Sequence, residues 1–125
     1  MHAFDVLGDP VRRRILELLA DGGPSASLSA GAITDAVQRE FGITQPAVSR
    51  HLRVLRESGF ARVTVDGQRR LYALQADGLQ AADEWLRRYR GFWLRRLDAL
   101  DTELRRGAKQ ARGSNAKRLH EETAT

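Results

Sequence analysis

The residue types best suited to chemistry fall in one short stretch, Thr44-Gln45-Pro46-Ala47-Val48-Ser49-Arg50-His51-Leu52-Arg53. A Gln amide matches the edge of adenine, and an Arg guanidinium forks onto guanine. Gln45, Ser49 and Arg50 are therefore the candidate base readers, and Pro46 and Ala47 offer small apolar surface to thymine methyls. Thr44 at a helix start suits a phosphate. His51 and Arg53 are expected to make phosphate contacts, with Arg69 and Arg70 further along the chain. Enzyme chemistry finds little support. Ser49 and His51 lie two residues apart, so on a helix they point to different faces. No Gly-rich phosphate loop is present. No constellation supplies a nucleophile, a base and an orienting group. The chain is expected not to be an enzyme.

Charge points the same way. Lys and Arg number 21 against 16 Asp and Glu, a net charge of +5. Nineteen of the basic residues are Arg, and only Lys109 and Lys117 are Lys. The planar Arg fork suits phosphate and guanine better than an ammonium does. From Thr44 to Arg70, Arg50, Arg53, Arg56, Arg62, Arg69 and Arg70 face only Glu57 and Asp66, a local net of +4. A basic stripe in one short segment is the electrostatic footprint of a nucleic-acid reader.

Metal chemistry lacks its ligands. The chain has no Cys, and its three His residues (His2, His51 and His120) sit in three different segments. Asp83, Glu84, Asp98 and Asp101 read as a solvated helix face. No metal and no cofactor are expected. The 125 residues leave room for one domain, and the 42% apolar content suffices for a core. No apolar run reaches membrane-span length and the first ten residues lack a signal-peptide pattern. The protein is expected to be soluble and cytoplasmic, without a membrane partner.

Several elements must position the chemistry. Met1 to Leu7 reads as a short helix anchored by Phe4 and Leu7. Asp9-Pro10 starts a second helix, with Val11, Ile15, Leu18 and Leu19 on its core face. Pro24 to Leu28 reads as a loop. Ser29 caps a third helix from about Ala30 to Glu40, which buries Ile33, Ala36 and Val37. Gly42 permits a sharp turn. The fourth helix, 45–58, has Thr44 as cap and Val48, Leu52 and Leu55 as inward stripe. Phe60 to Leu74 changes to strand alternation around Asp66-Gly67, a hairpin signal. The helical period returns from about Gly78 to Arg106. Residues 107–125, with Leu119 as their one large apolar residue, read as a disordered basic tail. The expected division is thus a domain over 1–106 and a tail over 107–125.

Two helices joined by a tight turn, followed by a hairpin, form a winged helix-turn-helix. The expected fold is mainly α with a β-hairpin wing, in the order α-α-α-α-β-β-α. The recognition helix is 45–58 and the wing is 61–74.

Two stretches carry a family resemblance. Leu7-Gly8-Asp9-Pro10-Val11-Arg12-Arg13-Arg14-Ile15-Leu16-Glu17-Leu18-Leu19 resembles the opening of the ArsR/SmtB family of bacterial winged-helix repressors. So does the stretch from Ile43-Thr44-Gln45-Pro46-Ala47-Val48-Ser49-Arg50-His51-Leu52 through Phe60, and the resemblance extends over residues 3 to about 106. It implies a homodimeric repressor on a palindromic, double-stranded DNA operator, with the first and last helices forming the dimer interface. The metal-sensing members use Cys pairs or His and carboxylates that this chain lacks, so the resemblance is to the non-metal branch.

The last helix holds Trp85, Tyr89, Phe92 and Trp93, four of the eight aromatic residues. With Leu97, Leu100 and Leu104 they exceed what one helix on a small body can bury, and a dimer core is their natural use. Phe4, Leu7, Leu86, Tyr89, Phe92, Trp93, Leu97 and Leu100 are the expected interface. The same aromatics offer a place for an unknown small-molecule effector. Two other classes compete: a winged-helix protein that binds nucleic acid without sequence preference, and a winged-helix interaction module without DNA binding.

Overall fold

Asp9 and Pro10 decide where the main body of the protein begins. Asp9 Oδ1 accepts from the Val11 and Arg12 N–H groups at 2.8 and 3.2 Å, and Pro10 occupies a first-turn position that needs no donor. In the computed structural model, which describes residues 2–123 and side chains through residue 111, the elements run as follows. Helices α1 (Ala3–Leu7) and α2 (Pro10–Asp21) are followed by strand β1 (Leu28–Ser29). Helices α3 (Ala30–Phe41) and α4 (Gln45–Glu57) come next, then strands β2 (Ala61–Asp66) and β3 (Arg69–Leu74), and finally helix α5 (Ala76–Thr123). The expected fold class, mainly helical with a hairpin wing, is what the chain adopts.

The apolar spacing accounts for the core. Val11, Ile15, Leu16 and Leu19 of α2 meet Ile33 and Val37 of α3 and Val48, Leu52 and Leu55 of α4. Phe60, Ala61 and Tyr72 close it from the sheet side. The anchor of α1 is Val6, which is fully buried, whereas Phe4 and Leu7 are half-buried. That corrects the expected anchor pair. Leu16 likewise joins the core, with Leu18 only partly buried beside it. No polar or charged residue is buried among the described residues.

The sheet has three strands in the order β1-β3-β2, all antiparallel. The stretch expected as a plain loop ends in β1, where Leu28 pairs with Tyr72 and Ser29 with Leu71. Two residues are too few to show a strand period, and β1 exists because β3 offers it an edge. In the hairpin Asp66 pairs with Arg69, so the turn is Gly67-Gln68. Gly67 has a φ of +62° and no non-Gly residue has positive φ, the residue pattern of a II′ turn.

Helix α5 runs through Thr123, past the helix end expected near Arg106. Large apolar residues are scarce there, but Ala, Arg, Lys, Gln and Glu are strong helix formers. Proline is absent after residue 106, and Gly107 and Gly113 each cost only about 1 kcal/mol. The chain forms two compact units, residues 1–85 and 86–125. The first holds the sheet, α1 to α4 and the opening turns of α5. The second is the remainder of α5.

Candidate nucleic-acid interface

The turn between α3 and α4 is built by three residues. Gly42 ends α3 in the left-handed region at φ +65°, and its N–H reaches the Gln38 carbonyl at 2.9 Å. A side chain there would meet steric strain. Thr44 then caps α4, its Oγ1 accepting from the Ala47 N–H at 3.3 Å. Pro46 stands in the first turn. The buried stripe Val48, Leu52 and Leu55 fixes the rotation of α4 about its axis. With 3.6 residues per turn, Pro46, Arg50 and Arg53 must then face away from the core. Thr44, Gln45, Pro46, Ser49, Arg50 and Arg53 are all exposed, while Ala47 and His51 are half-buried.

The flanks of α4 differ. On one side, Gln45, Ser49, Arg53 and Arg56 join Thr34, Asp35 and Gln38 of α3 and Arg70 and Tyr72 of β3 around a groove of about 610 Å³. Three arginines and one carboxylate, Asp35, line it. On the other side, Ala47, Arg50, His51 and Val54 face Arg12 of α2 across a cleft of about 320 Å³. At the wing, Arg69 and Arg70 border a third hollow with Gln68 and the start of α3. The ten expected DNA-contact residues thus fall into an exposed ridge, its two flanks and the wing. Arg56 and Gln38 line the groove as well and lie outside the expected set. Helical spacing carries the signal for Arg56, seven residues after Ser49 and three after Arg53. Gln38 has no such signal, because only the packing of α3 against α4 brings it there.

The arginines of α2 have structural work. Arg12 Nε donates to the Val6 carbonyl at 2.9 Å and its Nη2 to the Asp5 carbonyl at 3.0 Å. Arg13 Nη1 donates to the Leu7 carbonyl at 2.7 Å. Both serve carbonyls in the last turns of α1, where intrahelical donors run out; the Val6 carbonyl also accepts from the Asp9 N–H at 3.5 Å. Arg14 grips Glu40 of α3 with two bonds, Nε to Oε2 at 2.8 Å and Nη2 to Oε1 at 3.1 Å. This pairing holds the Glu40 carboxyl below its usual range.

Each His has a definite setting. His2 caps α1, its Nδ1 accepting from the Phe4 N–H at 3.2 Å. His51 lines the cleft beside Arg12. His120 lies outside the residues whose side chains are described. No group of three or more metal-binding side chains converges among the described residues.

The expected interface residues are described unit by unit. In the first, Phe4 is half-buried and meets Trp85 edge to face, with ring centroids 5.0 Å apart. Leu7 is half-buried as well. In the second, Leu86, Tyr89, Phe92, Leu97 and Leu100 are exposed, from 38% to 60%. Trp93 is half-buried. Leu94 and Leu104, the latter 72% exposed, extend the same apolar surface. No helix of the described residues is long and apolar enough to cross a membrane.

Comparison with known proteins agrees with this geometry. The sequence pattern of a helix-turn-helix domain family matches residues 7–64. The chain is 32% identical to the transcriptional repressor SdpR of Bacillus subtilis over 68% of its own length and 86% of that protein. It is 37% identical to the HTH-type transcriptional regulator Rv2034 of Mycobacterium tuberculosis, over 77% of its own length and 79% of the other. Among solved structures, an ArsR family transcriptional regulator superposes with a TM-score of 0.58 at 25% identity, covering 73% of this chain and 86% of that one. Helix-turn-helix, wing and sequence relatives together place the chain in the ArsR family of winged helix-turn-helix transcriptional regulators, to which it belongs.

Proposed function

We propose that this regulator is a sequence-specific repressor that acts as a homodimer on a palindromic operator in the cytoplasm. The observation that carries the reading is the ridge of α4. Arg50 and Arg53 are exposed on it, Gln45 and Ser49 are exposed along its groove side, and Arg56 and Arg70 gather beside them. In this reading α4 enters the major groove. Gln45, Ser49 and Arg50 read base edges, with Pro46 and Ala47 against thymine methyls. Thr44, His51 and Arg53 hold phosphates, and Arg69 and Arg70 bring the wing to the neighbouring backbone. That SdpR is a repressor supports the direction of regulation.

The dimer rests on the apolar strip of α5. Leu86, Tyr89 and Trp93 recur eleven residues later as Leu97, Leu100 and Leu104. That period, about 3.67 residues per turn, keeps the strip on one side of a nearly straight helix. A second copy would cover it. A small-molecule effector beside Trp85, Tyr89, Phe92 and Trp93 is the proposed means of release, and a metabolite screen by tryptophan fluorescence tests it.

Selection of duplexes from a random-sequence pool tests the proposal. Enrichment of one palindrome with half-sites about one helical turn apart is expected. Retention of the pool without any enriched sequence would overturn specific recognition and leave a backbone binder.

A further inference from the structure

We infer that the cleft between α2 and α4 receives a phosphate of the DNA backbone, with Arg12 as a contact residue in addition to His51. The inference rests on the DNA-binding reading and adds to it a residue outside the helix-turn-helix.

Three observations carry it. First, the cleft is lined by Arg12, Ala47, Arg50, His51 and Val54, with no carboxylate among them. Two guanidinium groups and an imidazole share one concavity, an arrangement that an anion stabilises and its absence does not. Second, Arg12 is pre-organised. Its Nε and Nη2 are tied to the carbonyls of Val6 and Asp5 at 2.9 and 3.0 Å. These bonds fix the plane of the guanidinium and leave Nη1 for a further acceptor. Holding the side chain in advance removes much of the entropy cost of ordering it on binding. Third, Arg50 belongs both to this cleft and to the exposed ridge of α4. A duplex seated on the ridge therefore brings its backbone past the cleft mouth. The neighbouring Asp9 does not line the cleft; its Oδ1 accepts from the N–H groups of Val11 and Arg12 at the start of α2.

A consequence follows for α1. The same guanidinium that meets the phosphate holds the end of α1, so the position of α1 and the grip on DNA are mechanically linked.

The test uses the full chain and a mixed-sequence DNA duplex, since a phosphate contact is blind to sequence. The association constant is measured over a series of salt concentrations. Each phosphate neutralised contributes about 0.9 to the slope of log K against log salt. Arg12→Gln is expected to flatten the slope by about one, and Arg12→Lys to recover most of it. Arg13→Gln loosens α1 as well but lies outside the cleft, so its slope is expected to equal that of the wild type. An unchanged slope in a folded Arg12→Gln variant would overturn the inference and leave Arg12 as a clamp for α1 alone. Failure of the wild type to bind any duplex would overturn the inference and the DNA-binding reading together. A melting temperature raised by inorganic phosphate over chloride at equal ionic strength, lost in Arg12→Gln while the DNA slope stays unchanged, would reassign the cleft to free phosphate.

Discussion

The ring of Phe60 occupies the space where a side chain on Gly78 would begin. A Cβ on Gly78 would stand 2.6 Å from Phe60 Cε2, and the Gly78 N–H donates to the Gly59 carbonyl at 2.8 Å. Phe60 is fully buried and is the last residue of the link from α4 to β2. The opening of α5 is thereby seated on the segment that joins the recognition helix to the wing. Gly78→Ala is expected to destabilise the protein by about 1–3 kcal/mol, the usual cost of overpacking. Thermal or urea unfolding measures it, and an unchanged midpoint would show that the ring can move aside.

The two flanks of α4 predict two kinds of DNA-binding loss. Arg50→Ala is expected to cost about 1–3 kcal/mol on the preferred sequence and little on a random duplex. Arg56→Ala, on the groove flank, is expected to weaken both duplexes alike. Parallel titrations of each variant against both duplexes separate the two. An equal loss for Arg50→Ala on both would make it a phosphate contact.

Much of this site is legible in the sequence because its cues are local. Asp9-Pro10 and Thr44-Gln45-Pro46 are helix starts written in adjacent residues, and Val48, Leu52 and Leu55 set the face of α4 by spacing alone. What escapes is set by distant partners. β1 is a strand only because Tyr72 and Leu71 lie beside it. Arg12, Arg13 and Arg14 read as charge, yet their donors go to α1 carbonyls and to Glu40, which no local pattern announces. Arg56 joins Arg70 across the groove through the packing of β3 against the helices. The length of α5 escapes for another reason: an apolar pattern marks burial, whereas its last turns depend on helix propensity.

The Arg14–Glu40 pair predicts a pH dependence. The guanidinium depresses the Glu40 carboxyl below its ordinary value. The unfolded chain therefore binds a proton there at a higher pH than the folded one does. The pair's contribution is complete above the ordinary Glu range and is lost as pH falls through the depressed value. Glu40→Gln should lower the melting temperature at neutral pH, and the difference from wild type should vanish in acid. A difference that persists at the lowest pH would assign the effect to something other than the carboxylate charge.

The apolar strip of α5 predicts the assembly. Leu97, 57% exposed, is expected to become buried between copies. Leu97→Glu should weaken self-association by roughly tenfold or more, about 1.4 kcal/mol or above. Helix content should hardly change, since Glu and Leu are both good helix formers. Sedimentation over a range of concentrations reads the result. A variant as dimeric as the wild type would remove Leu97 from the interface.

The most direct measurement of the central claim is binding of the purified protein to DNA from upstream of its own gene. A scrambled duplex and the Gln45→Ala/Arg50→Ala double variant stand as comparisons, at two salt concentrations and without added metal. The account predicts tight binding to the upstream DNA, weak binding to the scrambled duplex, and loss of the difference in the double variant. Equal affinity of the double variant and the wild type for the upstream DNA would contradict it, because α4 would then not be the reader.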